Sequence, residues 1–522
     1  MDTKRISILD STLRDGAQGE NISFSVNDKL GVVKALDAFG VDFIEAGNPA
    51  SNPKDLEFFE RVATSPLATA RLAAFGSTRR RGREAAQDEN LAALLAAGTD
   101  VVVIFGKGSL MHVTEILRVS PEENLAMISE SVAFLKGHGK SVLYDAEHFF
   151  DGYRYDAAYA LSTLEAAADA GAEVLCLCDT NGGTLPHEVY EVTKLVVARH
   201  PGVSVGMHAH NDSGCAVANS LMAVEAGATH VQGTLIGFGE RAGNADLSAV
   251  LPALKLKMGR EAGGTLPVLT ETAARVAEIA NVVMPGGKPY VGASAFSHKA
   301  GMHVDGVLKN PRSFEHVDPE AVGNKRRLLV SEVSGRTGVW ERVRSFAPQI
   351  AKDSPGLSAV LDRLKQLEHE GYQFEAADAS FELMAKRTLG MHEPHFSVVF
   401  YKTMGEFPAG EDLLPSTATI QIRVGSTTEI AAAKGKGPVH ALDIALRKAL
   451  AVFFPVLADM HLIDYKVRVL EQQATTAAKV RVLIESADAH STWTTVGVSE
   501  DIIEASFNAL VDSIEYRLSH AE

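Results

Sequence analysis

Cysteine is scarce in this chain: three among 522 residues, Cys176, Cys178 and Cys215. That is too few for a disulfide framework, and the spacing lacks the paired form of a structural zinc site, so a reducing, cytoplasmic setting is the simplest expectation. A surplus of positive charge is missing as well. The 50 Lys and Arg against 66 Asp and Glu leave a net charge of −16, which argues against non-specific binding to nucleic acid or to an anionic membrane surface. No apolar run approaches the roughly 20 residues that cross a bilayer. The start runs directly into a strand without the apolar stretch of a signal peptide. What is present suits an enzyme: hydrophobic residues make up 46% of the chain, enough for sizeable cores. The length exceeds one ordinary domain, even a barrel of about 250 residues.

Up to residue 258, short β-rich runs alternate with longer amphipathic stretches. Eight strands are expected, over 6–10, 41–47, 71–75, 101–105, 141–145, 173–179, 203–208 and 231–235. Helical patterns lie between them, at 26–39, 56–62, 84–97, 122–136, 157–170, 187–198 and 216–226. Several stop at glycine (Gly40, Gly98, Gly171, Gly227), the residue favoured just past a helix C-terminus. Strands alternating with helices mean a parallel sheet, and eight such units in this length predict a closed (β/α)8 TIM barrel, an α/β catalytic domain over 1–258. Residues 259–375 read as a linker with helical subdomains, containing helices over 269–279, 338–350 and 357–371 and a histidine-rich loop over 294–306. The last part, 376–522, repeats itself. Strands over 396–401, 418–424 and 427–431 precede a helix over 438–453, and strands over 465–470, 478–485 and 492–498 precede one over 500–518. Two βββα halves of an α+β domain would pair across a pseudo-two-fold, a seat for a dimer interface and a small effector. The segment 431–437 before Pro438 reads either as a loop offering free N–H groups to a carboxylate or as a solvated loop.

In a TIM barrel the chemistry sits on the loops after the strands. Asp15, Glu45, Glu147, Thr180, His208, His210 and Asn244 all fall at strand ends or just beyond, which puts them on one rim. Asp15 next to Arg14 would by itself be a turn residue beside a solvated charge. Its weight comes from the run Val203 to Asp212, where strand alternation points His208 and His210 the same way, as two ligands of one ion require. One carboxylate and two imidazoles, completed by water and an amide oxygen, favour a six-coordinate Mg²⁺ or Mn²⁺ and leave Zn²⁺, Co²⁺ and Fe²⁺ open. A 2-oxo acid chelates such an ion through its carboxylate and keto oxygen, and Arg14 is placed to neutralise the alkoxide that forms.

Five segments, Asp10 to Gln18, Asp179 to Gly183, His208 to Asp212, Gly237 to Asp246 and Ser294 to Gly306, resemble those of the Claisen-condensing acyltransferases, the 2-isopropylmalate, citramalate and homocitrate synthases. The likeness extends through the linker to a C-terminal part similar to the allosteric domain of 2-isopropylmalate synthase. It implies condensation of acetyl-CoA with a 2-oxo acid, followed by thioester hydrolysis. Carried over by position, it makes Asp15, His208 and His210 metal ligands, with Asn244 beside them or a further ligand. It sets Arg14 against the keto oxygen and Thr180 against the substrate carboxylate, where the alternative for Thr180 is a bond to the backbone. Glu147 and His303 would manage the acetyl proton, a service worth about 10² to 10⁴ in rate. Weaker positions are Glu45, orienting Arg14 or making an ordinary salt bridge, and His112, lining the pocket or merely at the surface. The run Arg79 to Arg83 reads as meeting CoA phosphates or, more simply, as solvated charge. Cys176 and Cys178 read as buried strand residues. Phe314 departs from the tyrosine common in the family, so a hydroxyl role there is lost. The segments Gly76 to Arg80 and Asp145 to Gly152 look like the citramalate-forming branch, which uses pyruvate. Three alternatives differ in kind: 2-oxoisovalerate as substrate; an acyl-CoA lyase, which lacks the duplicated C-terminal domain; and a sensor with an inactive barrel. The resemblance further implies a homodimer and feedback by isoleucine.

Overall fold

The apolar runs of the first half each become a strand. In the computed structural model, which describes residues 5–64, 66–329, 336–405, 415–470 and 478–521, eight parallel strands close into a barrel in chain order. They are β1 (Ser7–Asp10), β2 (Phe43–Glu45), β3 (Arg71–Ser77), β4 (Val101–Lys107), β5 (Ser141–Glu147), β6 (Val174–Asp179), β7 (Ser204–Ala209) and β8 (His230–Gly233). Closure comes from β1 pairing with both β2 and β8. Side chains of alternate residues fill the interior: Leu9, Ala73, Val101, Val103, Leu143, Val174, Cys176 and Cys178 form one cluster, a packed layer rather than a pore. Both cysteines are therefore buried strand residues, as expected.

Around the barrel, helix Val26–Phe39 begins at a reciprocal Ser25–Asp28 capping box and ends at Gly40 in the left-handed conformation, so its sequence limits hold. The stretch 84–97 does not form one helix. Asp88 accepts from the N–H groups of Asn90 and Leu91 and restarts the chain as helix Glu89–Ala96, after a 3-10 turn Ala85–Gln87. Two short elements, a π-helical turn His112–Leu117 and helix Phe149–Tyr155, are too short to carry a readable period.

The chain divides into two compact units, one running to Phe296 and taking in Val317–Arg326, the other made of Ser297–His316 and the chain from Arg327 onward. In the second unit the histidine-rich segment is not a loop. Strand β9 (Ser297–His298) pairs with β10 (Arg327–Leu328), and Gly301–Lys309 is a helix whose buried Val304 and Val307 keep helical spacing among glycines and polar residues. His303 stands on that helix, exposed to solvent. Helix Arg336–Arg344 is shorter than expected, since the residue before Pro348 disfavours helical backbone. Helix Pro355–His369 follows, and helix Asp378–Thr388, which the sequence reading lacked, packs on the C-terminal part.

That part holds the two βββα halves. Antiparallel β11 (Ser397–Gly405), β12 (Ser416–Val424) and β13 (Thr427–Gly435) carry helix Pro438–Ala451. Antiparallel β14 (His461–Val469), β15 (Val480–Ala487) and β16 (Thr492–Ser499) carry helix Ile502–Ser519. The expected anion loop at 431–437 is mostly strand: β13 pairs with β12 as far as Gly435, and the N–H of Lys436 donates to His440 Nδ1 at 3.2 Å. Among the described residues no helix is long and apolar enough to cross a membrane.

Candidate active site

The loop after β1 is fixed before it presents anything. Asp10 accepts from the N–H of Thr12 at 2.8 Å and of Leu235 at 3.0 Å, tying the β1 end to the β8 end. Burial pushes its carboxyl up to about 6 against those bonds. Beyond it, Arg14 donates through Nε to Glu45 Oε2 at 2.6 Å and through a terminal nitrogen to Asp15 Oδ2 at 2.9 Å, while its guanidinium lies 3.8 Å from the centre of the Phe75 ring. Glu45 is fully buried and also accepts from the Ser11 hydroxyl. Glu45 and Arg14 thus make a salt bridge, and it is a buried one that also fixes the guanidinium. A planar fork held on two carboxylates and one ring face has a single orientation.

From β7, His208 Nε2 and His210 Nε2 approach Asp15 Oδ2 at 3.4 and 3.8 Å and each other at 3.5 Å. Asn244 reaches the same place because the loop after β8 folds back: His210 and Asn244 form an isolated antiparallel bridge, and Asn244 Nδ2 donates to Asp15 Oδ1 at 3.0 Å. Burial raises the Asp15 carboxyl, but Arg14 and the two imidazoles outweigh it and hold the acid well below the usual carboxylate range. His208 is pushed down by burial yet ends raised, because Asp15 faces it. Burial and the neighbouring His208 bring His210 down to about 4. An ionised acid beside a neutral imidazole is a donor set for a cation. Asp15, His208 and His210 offer ligand atoms all within 4.8 Å of one another, and the buried Asn244 Oδ1 has no hydrogen-bond partner. The residues present fit a divalent ion.

A second group lies further round the same rim. Glu147 is paired with Lys107 across the β4–β5 ends. His112 and His148 stack with ring centres 3.8 Å apart, so His112 faces a ring rather than open solvent. Thr180 Oγ1 accepts from the backbone N–H of His148 at 2.8 Å. That is the backbone-bonding alternative for Thr180, and it leaves the hydroxyl proton free to be donated. Arg241, a non-glycine residue at φ 54, joins the groups by clamping Asp212 at 2.8 and 3.1 Å and the Thr180 carbonyl at 2.7 Å. His303, in the second unit, stacks on Phe314 at 4.2 Å.

Sequence reasoning missed Lys107, Arg241, Asp145 and Gln232. Gln232 accepts from His208 Nδ1 at 2.9 Å and donates to Asp145 Oδ1 at 2.8 Å. For Asp145 and Gln232 the available signal was a polar residue inside a short barrel strand. The arginine run divides: Arg79 is buried and paired with Glu123 at 2.8 Å and Glu130 at 2.6 Å, whereas Arg80 is exposed and 3.6 Å from Glu89.

The closed barrel with this rim is that of an HMGL-like enzyme, and the family model of that description matches residues 5–282. Two further models follow in order: a homocitrate synthase post-HMGL domain-like region at 290–372 and a LeuA allosteric (dimerisation) domain at 375–518. The chain belongs, along its whole length, to the (R)-citramalate synthase family. It is 50% identical over 521 residues to the (R)-citramalate synthase of Aquifex aeolicus, covering 99% of each chain. It is 49% identical to that of Geobacter sulfurreducens, covering 99% of this chain and 98% of that one. A probable 2-isopropylmalate synthase of Methanopyrus kandleri is 33% identical over 98% of both.

Proposed function

We propose that this protein condenses acetyl-CoA with pyruvate to give (R)-citramalate and CoA, an acyltransferase step of isoleucine biosynthesis in the reducing cytoplasm, where its three free thiols are at home. The observation that carries the reading is 50% identity, over 99% of the chain, to a protein named (R)-citramalate synthase. Asp15, His208 and His210, with Asn244 beside them, hold a divalent ion, Mg²⁺ or Mn²⁺ before Zn²⁺ or Co²⁺. When bound, such an ion supplies Lewis-acid polarisation of the keto group. The chain's own groups do the rest. Glu147, with His303 as the second proton handler on the strength of the family likeness, takes a proton from the acetyl methyl group, and the carbon attacks the keto carbon of pyruvate. The Arg14 fork, held by Glu45 and Asp15, faces the oxygen that becomes negative. Thr180 donates a hydrogen bond from its hydroxyl to the substrate carboxylate, and His112 walls the pocket. Water then cleaves the thioester and CoA leaves.

The LeuA-type domain supports a homodimer with isoleucine as effector. Exposed apolar residues on the edge strands, Phe400 and Met404 on β11 and Val467 and Val469 on β14, suit a covered face. One assay tests the reading: CoA release from acetyl-CoA with pyruvate or 2-oxoisovalerate, with and without isoleucine. Pyruvate is expected to win by about 10- to 200-fold in kcat/KM, the range a few methyl groups supply, with isoleucine lowering the rate. Preference for the branched acid would replace this reading with 2-isopropylmalate synthesis, and indifference to isoleucine would remove the effector assignment.

A further inference from the structure

Two hydrogen bonds run inward from His208. Its Nδ1 is 2.9 Å from Gln232 Oε1, and Gln232 Nε2 is 2.8 Å from Asp145 Oδ1. All three residues are buried, Gln232 completely; His208 and Gln232 are register partners on the neighbouring strands β7 and β8, and the bond from Gln232 to Asp145 on β5 crosses the barrel interior. The middle member is an amide, which can turn either its oxygen or its nitrogen toward the imidazole. A carboxylate only accepts, so Asp145 draws the amide nitrogen to itself and leaves the oxygen to His208. An oxygen opposite Nδ1 demands an N–H there. In the neutral ring, the form that ligates a cation, the lone pair is then on Nε2, the nitrogen that faces Asp15 and His210. Without the carboxylate the amide has no preferred direction, and half of its arrangements place the proton on the ligating nitrogen.

We propose that Gln232 and Asp145 are positioning residues that set the tautomer of His208 for metal ligation. This rests on the metal reading above. Outer partners of this type typically change metal affinity 10- to 100-fold when removed. The test is calorimetric titration of the metal-free full-length protein with Mn²⁺, with thermal unfolding followed in parallel. Gln232→Leu removes the acceptor and should weaken binding about 10- to 100-fold, whereas Gln232→Glu, sharing one proton with Asp145 and turning its other oxygen to His208, keeps an acceptor and should weaken binding by less than about 10-fold. Asp145→Leu should weaken binding about 10-fold. Adding Gln232→Glu to it should restore the affinity, because a carboxylate at 232 needs no partner to orient it, while any stability lost with Asp145 stays lost. A purely structural role would not give that rescue. Wild-type affinity in Gln232→Leu, or a double variant as weak as Asp145→Leu, would overturn the proposal. If Asp145→Leu does not fold, the contrast between the two Gln232 variants decides. Failure of the wild type to bind Mn²⁺ would overturn the metal reading itself, and this proposal with it.

Discussion

Arg14 shows how much one side chain is asked to do. It is fixed by Glu45, Asp15 and the face of Phe75, and its charge holds Asp15 ionised. A lysine keeps the charge but has neither the planar fork nor the ring contact. Arg14→Lys is expected to lower kcat with pyruvate about 10²- to 10³-fold, the usual result of losing one oxyanion donor, with the fold retained by circular dichroism. A loss below about tenfold would remove Arg14 from that role. The sequence exposed this residue and the three ligand candidates because strand alternation and a polar cluster at a strand end can be read locally. The partners beneath were not legible, since Gln232 and Asp145 look like irregularities in core strands until the barrel brings β5 and β8 face to face. Arg79 is the converse. A run of arginines reads as solvated, and only the helix carrying Glu123 and Glu130 makes this one a buried ion pair.

At the scale of elements, the duplication in the C-terminal part extends to packing. In each half a glycine in the third strand lies under the alanine four positions into the helix: Gly435 beneath Ala441, and Gly497 beneath Ala505. A Cβ at either glycine would meet helix backbone inside van der Waals contact, and backbone does not move aside as a side-chain tip does. Gly497→Ala should therefore destabilise the C-terminal part by about 1–3 kcal/mol, the usual cost of overpacking, read as a lower unfolding midpoint. An unchanged midpoint would contradict this account of the helix–sheet contact. Helix Val26–Phe39 was legible from its length and its caps, and the eight short barrel strands from their apolar runs between helical patterns. Helix Gly301–Lys309 was hidden because its glycines and histidine mask a period carried by Val304 and Val307 alone.

For the whole molecule, the barrel lies in one compact unit and the duplicated α+β part in the other. The central claim is that a single divalent ion is gripped by an acid after β1 and two imidazoles at the end of β7. Anomalous diffraction from crystals grown with Mn²⁺ tests it most directly. The account predicts one peak at bonding distance, about 2.0–2.3 Å, from Asp15, His208 and His210. A peak at the other cluster of ligand-type side chains, Asp145 with Cys176 and Cys178, or none near Asp15, would contradict it.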